Sequence, residues 1–128
     1  MSDTFRLTLA QLNPTMGDLE GNAAQARAAW TTAKNAGADM VALPEMFLTG
    51  YQPQDLIRKP AFAAHARAVL DTLVADCSEG PALAIGLAVW PEGEEKPFNS
   101  YVVARAGKIV AEIHKHHLPN YKVFDEKR

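Results

Sequence analysis

The chain has 128 residues, 48% of them hydrophobic and 22% charged, with a net charge of −2 and a single cysteine. That is the size and composition of one globular domain with a core of its own. The charge balance leaves no basic face for nucleic acid or anionic lipid, no apolar run is long enough to span a bilayer, and Cys77 alone cannot form an internal disulfide. With no signal-peptide pattern at the N-terminus, the expectation is a cytoplasmic protein with neither nucleic acid nor membrane among its partners.

Phe5, Leu7 and Leu9 alternate with Arg6 and Thr8, the pattern of a strand with one apolar face. Asn13-Pro14-Thr15-Met16-Gly17-Asp18 breaks it as a loop. Asn22 is a candidate cap for a helix running to about Asn35, with Ala26, Ala29, Trp30 and Ala33 on one face and Gly37 just past its end. The apolar run Met40-Val41-Ala42-Leu43 then reads as a strand buried on both faces, ended by Pro44, which has no N–H to donate. This β-α-β unit predicts two parallel neighbouring strands.

After the polar loop Gln52-Pro53-Gln54-Asp55, the spacing of Phe62, Ala66, Val69, Leu70, Leu73 and Val74 predicts a helix from about Pro60 to Cys77. Ser78-Glu79-Gly80-Pro81 stops it, and Ala82 to Val89 reads as a third buried strand. Pro91 to Pro97 is a charged loop. Phe98 to Ala104 and Lys108 to His114 are two strands of a hairpin joined through Arg105-Ala106-Gly107, the second alternating Ile109, Ala111 and Ile113 against Val110, Glu112 and His114. The expected architecture is α/β: β-α-β-α-β followed by a β-hairpin.

Glu45 is the candidate general base. It stands between Leu43-Pro44 and Met46-Phe47-Leu48, surroundings that desolvate a carboxylate and disfavour its charged form. The alternative is a carboxylate at a strand end that turns back to solvent. Lys115 is the candidate cation, after an alternating strand and before the break at Pro119; its alternative is an exposed strand-end lysine. His114 and His116 would share a face on an extended segment, and His117 follows, but no Cys or carboxylate completes a zinc spacing, so hydrogen-bonding or surface histidines are expected. Cys77 falls at a helix C-terminus between Asp76 and Glu79, where the dipole and the carboxylates oppose a thiolate, so it reads as structural. The residues therefore supply a base and a cation but no nucleophile.

Three stretches carry a resemblance. They are Ala10 to Asn22, Leu43-Pro44-Glu45-Met46-Phe47-Leu48-Thr49-Gly50-Tyr51, and Lys115-His116-His117-Leu118-Pro119-Asn120-Tyr121. Together and in this order they resemble the nitrilase (carbon–nitrogen hydrolase) superfamily. Thr49 to Leu56 and Leu118 to Arg128 are most similar to its glutaminase domains in the glutamine-dependent NAD+ synthetase family.

The resemblance implies part of an α-β-β-α sandwich and a Glu-Lys-Cys catalytic set, with Glu45 as general base and Lys115 stabilising the oxyanion. It also implies that Tyr121 and Glu126 line a glutamine pocket, Tyr121 as a wall and Glu126 orienting the lysine or binding the substrate's amino group. It puts the nucleophilic cysteine on a strand beyond the lysine segment, so the chain resembles the N-terminal part of a longer enzyme and Cys77 does not inherit that role. No cofactor is expected on this segment. ATP and Mg2+ are expected at a following synthetase domain, with nicotinic acid adenine dinucleotide as the ammonia acceptor and a homo-oligomer at full length. The competing readings are another carbon–nitrogen hydrolase, an amidase or carbamoylase, and an inert fragment that keeps the fold without the nucleophile. A flavodoxin-like nucleotide binder is set aside because Asn13-Pro14-Thr15-Met16-Gly17 offers one glycine where a phosphate loop needs several.

Overall fold

The computed structural model describes residues 4–50, 60–89 and 98–115. Five strands form one sheet in chain order: β1 (Leu7–Leu9), β2 (Met40–Ala42), β3 (Ala82–Val89), β4 (Phe98–Arg105) and β5 (Lys108–Lys115). β1, β2 and β3 run parallel, while β4 and β5 return antiparallel. Two helices, α1 (Leu19–Asn35) and α2 (Pro60–Asp76), provide the crossovers of the parallel half. This is the order β-α-β-α-β followed by a β-hairpin that the sequence predicts, with one layer of helices on one layer of sheet.

The helices pack side by side on one face of the sheet. Leu83, Ile85 and Leu87 of β3 and Val102 of β4 point into their apolar stripes, where Ala26, Trp30, Leu70 and Leu73 complete the core. Each fully buried Leu or Ile contributes about 1.5–3 kcal/mol. The Arg27–Asp76 salt bridge (3.0 Å) and the contact of His65 Nε2 with the Glu20 carboxylate (3.0 Å) tie α1 to α2 at the surface. Trp30 Nε1 donates to the Pro81 carbonyl at 2.7 Å, which fixes the entry to β3 against α1.

The opposite face, here called the open face, carries Leu7 and Leu9, which are 48% and 67% exposed, and Ile113, which is 64% exposed. The apolar side of β1 thus lies away from the core, because the register sets Thr8, rather than its neighbours, beside the buried Val41. β2 is correspondingly one-sided: Val41 is fully buried, whereas Met40 and Ala42 are half-buried on the open face. The expectation of burial on both faces is corrected there.

Two local expectations also change. The cap of α1 is Asp18, whose side chain accepts from the Gly21 N–H at 3.0 Å. Asn22 lies one turn inside and is fully buried. Its side chain accepts from Thr15 N (2.8 Å) and donates to the carbonyls of Thr15 (2.8 Å) and Leu48 (3.0 Å). The second change is a bulge between Val103 and Ala104, which breaks the alternation of β5. Ile109 therefore packs toward the core, while Ala111 and Ile113 turn to the open face. The hairpin turn itself uses Ala106 and Gly107 at φ 55° and 80°, the left-handed pair that matches strand twist.

No helix among the described residues is long and apolar enough to cross a membrane. Because the buried Asn22 side chain pairs with three backbone groups, one buried and two part-buried, Asn22→Ala is expected to lower stability by about 2–4 kcal/mol. Urea unfolding followed by tryptophan fluorescence measures this, and an unchanged midpoint would refute the role given to that side chain.

Candidate active site

β2 stops at Ala42, but its neighbour β3 continues to Val89, so the β3 backbone beyond Ala84 needs other partners. The turn that follows Pro44 supplies them. Leu43 N donates to Ala84 O (2.8 Å), Leu48 N donates to Gly86 O (2.9 Å), and Ala88 N donates to the Thr49 hydroxyl oxygen (3.1 Å). Gly50 N closes the turn on Met46 O at 2.7 Å. Met46 adopts φ 56°, a left-handed conformation uncommon for a residue with a side chain. Phe47 and Leu48 turn inward and are fully buried, which leaves Glu45 on the outside.

Glu45 is exposed. The desolvation expected from its apolar sequence neighbours is corrected: Leu43, Phe47 and Leu48 are buried in the core, and the carboxylate does not share their surroundings. One oxygen, Oε1, accepts from Asn99 Nδ2 at 3.1 Å. Behind the turn, Tyr101 OH donates to the Leu43 carbonyl at 2.7 Å. Burial, and secondarily the charge of Glu45, pushes the Tyr101 phenol above its usual range, so it stays a neutral donor.

The turn lies directly on Gly86. A Cβ at that position would come within 2.5 Å of Met46 N and 2.7 Å of Glu45 Cα. Gly86 pairs with Tyr101 across β3 and β4, so the turn sits on the face that also carries Asn99 and Tyr101, the open face. Lys115 stands directly opposite Asn99 in the β4–β5 register and is therefore on the same face. The fold thus brings the two sequence-predicted groups, far apart in the chain, to one side of one sheet with Asn99 between them. Asn99, Tyr101 and Gly86 were not singled out from sequence. The available signals were a lone glycine in an otherwise apolar buried strand and a polar residue at the start of β4.

His114, one residue earlier, faces the helices. Its Nδ1 is 2.6 Å from the buried Ser100 hydroxyl, its Nε2 is 3.6 Å from Glu112, and its ring is tilted against Phe98. Glu112 in turn accepts from both terminal nitrogens of Arg67 on α2, at 3.2 and 3.3 Å. Arg67, Glu112 and His114 wall a cavity of about 370 Å³ between α2 and the ends of β3 and β5, on the other side of the sheet from Glu45. Among the described residues no three His, Cys, Asp or Glu are grouped to hold a metal. His116, His117, Tyr121 and Glu126 lie outside the described residues.

Cys77 is buried in the helix-side core, and its thiol is pushed up to about 11, chiefly by burial, with Asp76 adding and Arg27 opposing. Burial, more than the helix dipole read from sequence, keeps it protonated. It does not share a face with Glu45 and Lys115.

Gly86→Ala would force the turn off β3. The expected cost is about 1–3 kcal/mol, with faster hydrogen exchange at the Leu48 amide as its bond to Gly86 is lost. Wild-type exchange at Leu48 in that variant would count against this packing account.

The sequence profile of the Carbon-nitrogen hydrolase family matches residues 6–128. The glutamine-dependent NAD(+) synthetase of Rhodobacter capsulatus is 54% identical over the whole chain, which spans 23% of that protein. The crystal structure of a glutamine-dependent NAD(+) synthetase from Cytophaga hutchinsonii superposes with a TM-score of 0.82 at 28% identity, covering 92% of this chain and 20% of that one. An amidase from Nesterenkonia sp., in a variant with an acetamide group covalently added at its active-site cysteine, superposes with a TM-score of 0.74 at 25% identity, covering 91% of this chain and 45% of that one. The chain thus spans about a fifth to a quarter of the synthetases it resembles. With the profile match running from β1 to Arg128 and the same fold in both the synthetase and the amidase, the chain belongs to the carbon–nitrogen hydrolase family.

Proposed function

We propose that these residues form the first part of the glutaminase unit of a glutamine-dependent NAD+ synthetase, a cytoplasmic ligase, with Glu45 as general base and Lys115 as the cation that stabilises the oxyanion. The observation that carries this reading is the shared face of Glu45 and Lys115, with the carboxylate held by a neutral donor, Asn99. The similarity to the Rhodobacter capsulatus synthetase directs it toward glutamine.

In the proposed reaction Glu45 takes the proton of a cysteine thiol supplied from outside these 128 residues, and the thiolate attacks the side-chain amide carbon of glutamine. The carbonyl π pair moves to oxygen, where the Lys115 ammonium stabilises the developing charge. The proton passes to the amide nitrogen, the C–N bond breaks, and ammonia leaves a thioester behind. Water then attacks the thioester with Glu45 again as base, releasing glutamate and restoring the thiol. Tyr121 and Glu126 are assigned to the glutamine pocket. Ammonia goes on to the synthetase portion, where ATP and Mg2+ serve the amidation of nicotinic acid adenine dinucleotide and full-length chains associate as a homo-oligomer. The likeness to the Nesterenkonia amidase supports a second reading, hydrolysis of a simpler amide.

The test uses the protein at its natural length. Glu45→Gln is expected to reduce glutamine-dependent ammonia release by about 10²–10⁴-fold, while NAD+ formation from added ammonium stays at the wild-type rate. Unchanged ammonia release would overturn the assignment, and turnover of simple amides in preference to glutamine would select the amidase reading. Residues 1–128 expressed alone are expected to release no ammonia from glutamine. Release that disappears on Glu45→Ala would show that the nucleophile had been placed wrongly.

A further inference from the structure

Glu45 is carried on an exposed turn, and a carboxylate there has a wide choice of orientations. On the same face, opposite Asn99, stands Lys115 on its flexible four-carbon stem. Asn99 occupies the position between them. Its backbone is clamped on both sides, paired with Ala88 of β3 and with Lys115 of β5, so the side-chain amide starts from a rigid strand. Among the described residues it is the one side chain hydrogen-bonded to Glu45.

From this geometry we propose that Asn99 is a positioning residue for the reaction: it fixes the Glu45 carboxylate through Oε1 and leaves Oε2 to receive the proton. The inference rests on the reading of Glu45 as the base. The residue type fits the task. An amide N–H orients a carboxylate without bringing a charge, whereas a lysine or arginine in its place would stabilise the carboxylate more strongly and weaken it as a base. An amide also does not titrate, so the orientation holds at every working pH. Among the described residues, the titratable groups beside Asn99 on this side of the sheet are Tyr101 of β4, whose hydroxyl is engaged with the Leu43 carbonyl, and Lys115 of β5.

The test again uses the natural-length protein, with ammonium-dependent NAD+ formation as the control for an intact fold. Asn99→Leu, similar in size but without the donor, is expected to lower the kcat of glutamine hydrolysis by roughly 10–100-fold with KM for glutamine within about twofold. Asn99→Asp has the same shape and sets a second carboxylate against the first. It is expected to move the acid limb of the kcat profile upward by about one pH unit or more. A merely structural role for Asn99 would lower the melting temperature without moving that limb. If the leucine variant does not fold, the isosteric aspartate variant decides alone.

Wild-type kcat in a folded Asn99→Leu, or an unmoved acid limb in Asn99→Asp, would overturn the proposal. Glu45→Gln separates the two levels of inference. If it retains glutaminase activity, the reading of Glu45 itself fails. If it is inactive while both Asn99 variants behave as wild type, only the positioning role fails.

Discussion

The contact between the turn at residues 44–49 and Gly86 is the constraint on which the site depends. A sheet edge that outruns its neighbour leaves backbone groups without partners, and burial makes each of them costly. Here the neighbouring chain leaves the sheet after Ala42 and turns over, so that Leu43 N and Leu48 N donate to the carbonyls of Ala84 and Gly86 while Ala88 N donates to the Thr49 hydroxyl oxygen. The turn can come this close only because position 86 has no Cβ. Asn22 then holds the turn from the other end through the Leu48 carbonyl, and Gly17 N donates to the Thr49 carbonyl at 3.2 Å. Glu45 is an outward-facing residue of a turn anchored by the buried Phe47, Leu48 and Thr49.

The same constraint explains the composition of β3. Its sequence from Ala82 to Val89 reads as uniformly apolar, but its two faces differ in size. Leu83, Ile85 and Leu87 fill the helix-side core, while Ala82, Ala84, Gly86 and Ala88 present almost no side chain to the open face. At Gly86 this lets the turn lie directly on the strand. A large residue on that side would displace the Glu45 segment before it disturbed the helices.

Much of this was legible from residue pattern. The periodicity of Phe62 to Val74 defines α2, the run from Ala82 defines β3, and Arg105-Ala106-Gly107 marks the hairpin, because each signal is local. What escaped was decided across the chain. Asn22 resembles a cap because it starts the apolar stripe, yet Asp18 is better placed to meet the Gly21 N–H, and the Asn22 amide is needed by Thr15 and Leu48. Glu45 looks desolvated because Phe47 and Leu48 follow it, but a turn separates sequence neighbours onto opposite sides. Asn99 carries no motif by itself; its meaning comes from a register that sets it between two groups contributed by other elements.

That register also divides the polar residues of β5. His114 and Lys115 are adjacent in sequence and point to opposite faces, His114 into the network of Ser100, Glu112 and Arg67, and Lys115 beside Asn99. Slipping β5 by one residue would exchange them, sending the lysine toward the helices and the imidazole toward Glu45. Three features oppose the slip: the left-handed Ala106-Gly107 turn, the bulge at Val103 and Ala104, and the fork from Arg67 to Glu112. The first two set the phase of the strand near the hairpin. The third anchors it from α2, a helix on the far side of the sheet from Glu45. The helix-side polar network, which touches none of the proposed reacting groups, thereby fixes which side of β5 carries the cation.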